Sequence, residues 1–195
     1  LEQMRITELE VDYRKRLLDF TRRDMDVLVQ CRPLITRHID RIVDEFYRIQ
    51  TSNPDIANLI GDADTLERLQ CAQRRYIMDL FSGVYGMEYI NNRLRIGLVH
   101  KRIGVEPKLY LSAVHLLRSL LLDCIDGEGE EGGATPEVIK ALDKLIYFDV
   151  TLVFETYIQS MLAEIETARS RTEEYAKSLE DTVARRTGEL RTDAL

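Results

Sequence analysis

The sequence predicts an all-α protein. Apolar residues recur at three- and four-residue spacings through nearly the whole chain. Capping residues stand directly before those runs. With 10 glycines and 4 prolines in 195 residues, the chain lacks the dense turn punctuation of a many-stranded fold. About seven or eight helices are expected before residue 165, followed by one long exit helix.

The elements follow in order. Residues 3–18 place Ile6, Leu9 and Leu17 among charges, which predicts a weak leading helix docked on something larger. Thr21 with Asp24 forms a capping-box pair and Phe20 with Met25 a hydrophobic staple, so a short helix should start there and run to Cys31. Pro33 then opens a stronger helix bearing Ile35, Ile39, Ile42, Val43, Phe46 and Tyr47. Asn53-Pro54 stops it, because the residue before proline avoids the helical region. A brief apolar turn from Ile56 to Ile60 ends at Gly61.

Asp64 with Glu67 reads as the next N-cap, ahead of Leu66, Leu69, Ala72, Tyr76, Ile77 and Leu80. Gly83 and Gly86 interrupt before a helix from Glu88 to Ile103, which Gly104 closes. Pro107 stands at the first turn of a helix reaching Ile125. Leu116, Leu117, Leu120, Leu121 and Leu122 make that helix apolar over so much of its circumference that it must be covered on more than one side. After a Gly- and Glu-rich loop over 126–133, Thr135-Pro136 restarts a helix with a broad apolar set: Ile139, Leu142, Leu145, Ile146, Val153 and Tyr157. From Ala163 to Leu190 there is no proline, and Gly188 is the one glycine. Ala176, Leu179, Val183, Arg186 and Leu190 follow at alternating spacings of three and four, a heptad seam able to pair with a second copy as the continuation of a packed helix.

Composition narrows the function. The chain is 45% apolar and 31% charged with a net charge of −7, and no basic run marks a nucleic-acid footprint. Cys31, Cys71 and Cys124 are far apart in apolar-periodic segments, so they are expected to be reduced and buried. No apolar run reaches the ~18 residues of a spanning helix, so no membrane partner is expected. The chain opens on charged residues and not on Met, so a signal peptide is not expected and an excised or processed fragment is.

The stretch that carries chemistry is Arg95-Ile-Gly-Leu-Val-His100-Lys-Arg-Ile-Gly104-Val-Glu-Pro107-Lys-Leu-Tyr110. On a helix Ile96, Val99, His100 and Ile103 share one face, so His100 points from an apolar stripe towards the core. Gly97 allows close approach to that face. By spacing alone, a core histidine bonded to a neighbouring carbonyl is the more economical reading. His38, next to Asp40, is expected at the surface, and His115 in the core or an interface.

Residues 95–110 resemble the proximal-histidine motif of the globin-coupled sensors, His-x-Arg-Ile-Gly followed by Pro and Tyr. His100, Arg102, Ile103, Gly104, Pro107 and Tyr110 match it, while Leu109 stands where that family usually has an aromatic residue. The resemblance extends over residues 20–165. It takes in Ile42-Val43-Asp44-Glu45-Phe46-Tyr47, similar to the family's second globin helix, and Leu80-Phe81-Ser82-Gly83, similar to the end of its distal helix. It implies a globin-like sensor domain over 1–165, made of a leading helix (1–20) and a globin core (21–165). It also implies b-type haem with His100 as axial ligand of the iron, and O2, CO and NO as ligands. The absence of Cys-x-x-Cys-His implies that the haem is held non-covalently.

Tyr47 matches the distal tyrosine that donates a hydrogen bond to bound dioxygen; the plainer alternative is an amphipathic residue with its ring in the core and its hydroxyl in water. Leu69 matches a leucine that gates the distal pocket, and Ala72 stands where some members carry a second polar residue. Val43, Phe46, Ile96, Ile103 and Tyr110 complete the implied haem surroundings, with Tyr110 on the proximal side or in plain core.

The tail resembles the signalling linkers of bacterial sensor proteins. Residues 166–191 read as a coiled-coil linker, and Thr192-Asp-Ala-Leu195 resembles the opening of a diguanylate cyclase (GGDEF) domain. The expectation is a cytoplasmic, bacterial, haem-based gas sensor, dioxygen first among its ligands. It would act as a homodimer through helices 107–125 and 136–165 and the coiled coil. These 195 residues would sense and not catalyse. The alternatives are a histidine kinase or chemotaxis-type output, a globin enzyme, and a haem-free interaction module.

Overall fold

A computed structural model describes residues 6–128 and 134–192, and these form seven α-helices with no strand among them. The helices are α1 Glu8–Leu17, α2 Arg22–Gln50, α3 Pro54–Ile60, α4 Ala63–Leu80, α5 Met87–Arg102, α6 Pro107–Glu128 and α7 Pro136–Thr192. The loop at 129–133 and the Asp-Ala-Leu end of the tail fall outside the described residues.

Capping chemistry sets the boundaries. Thr21 and Asp24 make the full capping box of α2, with the Thr21 backbone N–H donating to the Asp24 carboxylate at 2.7 Å. Asn53 caps α3 by accepting from the N–H of Asp55 at 2.9 Å. Gly104, at φ +80°, closes α5 with its N–H on the carbonyl of Lys101. That left-handed turn favours a residue without a side chain.

Four expectations change. The helix expected to end near Cys31 and the one expected to start at Pro33 are a single helix, with Pro33 inside it. Leu28, Ile35 and Ile42, seven residues apart, are all buried on one stripe, and that burial outweighs the hydrogen bond proline removes. The N-cap of α4 is Asp62 and not Asp64: Asp62 is extended and accepts from the N–H of Thr65 at 2.7 Å, while Asp64 lies in the first turn beside the positive end of the helix dipole. Of the cysteines, Cys124 is buried, Cys31 is half-buried and Cys71 is exposed. His38 is half-buried between surface and core, and His115 is exposed on α6, which removes the core reading of it and leaves the interface one.

The chain divides into two units, residues 1–156 and 157–195. The first holds one apolar core in which Leu28, Ile35, Ile77, Leu80, Phe81, Ile90, Leu121, Leu142, Leu145 and Phe148 are fully covered. The leading helix docks there through Val11 and through Arg14, which makes a two-pronged ion pair with Glu155 at 2.8 Å for each bond. The second unit is the remainder of α7. Ile158, Met161, Leu162, Ile165, Tyr175, Leu179 and Val183 on it are each more than half exposed in the single chain.

Candidate functional site

A cavity of about 220 Å³ opens among α2, α3, α4, α5 and α6, all within the first unit. α2 contributes Phe46, Tyr47 and Gln50 to its wall, and α3 contributes Ile56, Leu59 and Ile60. α4 adds Leu69, Ala72, Gln73 and Tyr76; α5 adds Ile96 and His100. Ile103, Val105 and the first turns of α6, with Leu109, Tyr110, Ala113, Val114 and Leu117, close it. The wall is mostly hydrocarbon with a few polar groups converging on it, the composition of a small-molecule site.

Of the residues singled out in the sequence, the fold brings His100, Tyr47, Leu69, Ala72, Phe46, Ile96, Ile103 and Tyr110 onto this one cavity. Val43 is not on the wall; it is fully buried in the core, one turn of α2 before Tyr47.

His100 is oriented by its own helix. Its Nδ1 lies 2.8 Å from the carbonyl oxygen of Ile96. A carbonyl only accepts, so Nδ1 carries the proton and donates, and Nε2 is the nitrogen left with a lone pair. Burial lowers the imidazole's proton affinity, against the opposing pull of the Ile96 carbonyl, and keeps the ring neutral. Tyr110 packs edge-on against the ring at 5.6 Å between centroids, and Phe154 backs Tyr110 at 6.3 Å. Gly97, on the same helix, meets α7 at Val153 and Thr156, so α5 lies flush against that helix three residues from His100.

On the wall supplied by α2, Tyr47 is buried, with its ring edge-on to Phe46 at 5.1 Å. Burial pushes its phenol up to about 12, so the hydroxyl stays protonated and remains a hydrogen-bond donor.

Two features were not foreseen from the sequence. Gln50, 7% exposed, adds an amide to the wall. Its signal was a polar residue three positions beyond Tyr47, in phase with the apolar stripe of α2. The second feature is a buried polar cluster behind the cavity. Arg93 on α5 donates to Asp149 on α7 at 2.8 Å, and Tyr76 and Tyr89 donate their hydroxyls to the same carboxylate at 2.9 and 2.7 Å. The guanidinium lies 4.2 and 3.9 Å from the ring centres of Tyr76 and Tyr89. Arg93 and Asp149 are both 1% exposed. Burial works against the charge of Arg93, but Asp149 and the two tyrosines outweigh it and hold the guanidinium charged. Burial pushes the carboxyl of Asp149 up, against the opposing pull of Arg93. Since Tyr76 also lines the cavity, the cluster ties the cavity wall to α5 and α7. Arg93, seven residues before His100 on the same helical face, was the visible sign of it.

Known proteins share this fold. Residues 7–163 match the Protoglobin family. The chain is 31% identical over 172 residues to the heme-based aerotactic transducer HemAT of Halobacterium salinarum, a match covering 82% of this chain and 35% of that protein. The chain therefore spans about a third of that relative's length. Among solved structures, the globin domain of the Geobacter sulfurreducens globin-coupled sensor superposes with a TM-score of 0.68 at 23% identity, covering 75% of this chain and 96% of that one. The ferric globin domain of E. coli DosC superposes at 0.60 and 19% identity, covering 76% and 97%. These two likenesses establish the globin sensor fold.

Proposed function

The chain belongs to the Protoglobin family, and on that premise we propose that it is a haem-binding sensor domain for a diatomic gas, dioxygen first, that regulates an output domain. One observation carries the reading. His100 stands on an apolar cavity with Nδ1 committed to the Ile96 carbonyl and Nε2 left as a neutral ligand nitrogen.

The residues fit a b-type haem. Among the described residues no group of three or more His, Cys, Asp or Glu could hold a metal ion. A metal on His100 would need most of its coordination sphere from a macrocycle, and the hydrocarbon wall of Phe46, Leu69, Ile96, Ile103, Val114 and Leu117 suits a flat apolar ring. When bound, the haem supplies the iron on which O2, CO or NO is held. His100 offers Nε2 on one side, and Tyr110 steadies its ring. Tyr47 offers a protonated phenol to a ligand drawing negative charge, in a wall that is mostly hydrocarbon. The named function of the Halobacterium relative, heme-based aerotactic transduction, supports the same reading.

The proposed organisation is a sensor over 1–165, a coiled-coil linker over 166–191 and the start of an output domain at 192–195. The homodimer is proposed through helices 107–125 and 136–165 and the coiled coil. The exposed Ile158, Met161, Leu162 and Ile165, and further on Leu179 and Val183, support a second copy, because a helix carrying so many uncovered apolar side chains gains by burying them. The proposed output is a diguanylate cyclase joining two GTP molecules in the bacterial cytoplasm. The transducer named in the Halobacterium relative favours a chemotaxis-type output as the second reading. No helix among the described residues is long and apolar enough to cross a membrane.

The test is reconstitution with haemin. A Soret band should appear, with distinct ferrous, O2- and CO-bound spectra. His100→Ala should abolish haem retention or greatly weaken it. Absence of a Soret band in the parent chain overturns the haem reading, and unchanged spectra in the variant move the ligand elsewhere. Sedimentation at micromolar concentration should show a dimer.

A further inference from the structure

The cavity wall holds a polar group that the reading above leaves unused. Gln50 is more than nine-tenths buried and lines the cavity, and its carboxamide has no hydrogen-bond partner among the described residues. The end of α2 does not need it: the Gln50 backbone carbonyl already accepts from Asn53 at 3.1 Å, and that of Tyr47 from Thr51 at 2.9 Å. The amide opens onto the cavity space and bonds nothing in the fold, so it is free to meet whatever occupies the cavity. Gln73, the other amide on the wall, is only half-buried, so water reaches it.

Position supplies the rest. Gln50 follows Tyr47 by three residues, so the two side chains are neighbours on one face of α2. Leu69 and Ala72 on the α4 side of the cavity have no side-chain donor to offer. Of the other α4 groups on the wall, the Tyr76 hydroxyl is committed to Asp149 and Gln73 is half-buried, so the buried donors that face the cavity uncommitted are the phenol of Tyr47 and the amide of Gln50, on one helix. Dioxygen draws negative charge when it binds a reduced metal, and carbon monoxide draws far less. A pair of donors therefore favours the first over the second.

We propose that Gln50 is the second hydrogen-bonding group of the cavity, donating through Nε2 beside Tyr47 to the gas ligand, and that it sets the preference for dioxygen over carbon monoxide. This rests on the haem-sensor reading.

The experiment compares the parent chain with Gln50→Met, Gln50→Leu and Tyr47→Phe. In the haem-loaded proteins, Gln50→Met should speed O2 dissociation about tenfold, as loss of one charge-assisted hydrogen bond does, and leave CO dissociation within about twofold. The C–O stretching frequency should rise in Gln50→Met. In the haem-free proteins, Gln50→Met should melt no lower than the parent, since the amide it removes has no partner in the fold. A clear drop in that melting temperature in both Gln50 variants makes Gln50 a structural residue and overturns the proposal. So does an unchanged O2 off-rate in Gln50→Met when Tyr47→Phe speeds it. A parent chain that takes up no haem overturns the sensor reading instead. Should Gln50→Met not retain haem, Gln50→Leu carries the comparison.

Discussion

Gly97 of α5 lies so close to Thr156 of α7 that a Cβ atom on it would stand 2.0 Å from the Thr156 Oγ1 and 3.1 Å from the carbonyl oxygen of Val153. Thr156 cannot easily yield, because its hydroxyl is buried and donates to that same carbonyl at 2.6 Å. One methyl group at Gly97 must therefore push the two helices apart, and His100 rides on the helix that moves. Gly97→Ala should lower stability in urea by about 1–3 kcal/mol, as overpacking of a filled core does. Adding Thr156→Ala should restore part of that loss. A Gly97→Ala chain as stable as the parent would mean that α5 and α7 do not meet as described.

The ion pair of Arg93 and Asp149 makes a sharper prediction about coupling. Removing one partner strands a charge in the core, so Asp149→Ala alone should cost about 3–5 kcal/mol. Arg93→Met with Asp149→Leu removes both charges and should cost clearly less than the two single changes summed. Urea titration of the four proteins gives the interaction energy. Strict additivity would show that the two side chains do not share one buried site.

Tyr47 predicts an alkaline effect. Its phenol is raised to about 12 by burial, from an ordinary value near 10. Between those values the unfolded chain has given up the proton and the folded one still holds it. The folded state binds more protons in that window, so this group makes stability fall as pH rises through it. Tyr47→Phe removes the contribution, and its stability should fall less steeply than the parent's between about pH 10 and 11. Equal slopes would place the Tyr47 hydroxyl in water.

Pro33 predicts a gain. Inside α2 it leaves the Val29 carbonyl without its N–H partner four residues on. Pro33→Ala restores that bond, against the ~0.4–1 kcal/mol that proline contributes by restricting the unfolded chain. A net stabilisation of about 1–2 kcal/mol is expected from thermal or urea melts. A loss would show that α2 is kinked or broken at that point.

The sequence by itself determined the helical class, most helix ends and the residues worth watching. Those properties depend on short-range chemistry: Thr21 and Asp24 cap α2 because they are three residues apart, and Gly104 ends α5 because it takes a left-handed turn. The spacing of Ile96, His100 and Ile103 put all three on the cavity wall, but Val99, expected on the same face, is exposed and off that wall; the motif alone named a family. Tertiary structure decided what no local rule contains. It carried α2 through Pro33, because Leu28 and Ile35 on either side are buried on the same stripe. It brought Tyr47 and His100, far apart in the chain, onto one cavity and left Val43 out of the wall. It paired Arg93 with Asp149 and left Gln50 facing the cavity with its amide unused, because burial and partnership depend on which helices meet across the core, and that is fixed only when the whole chain packs.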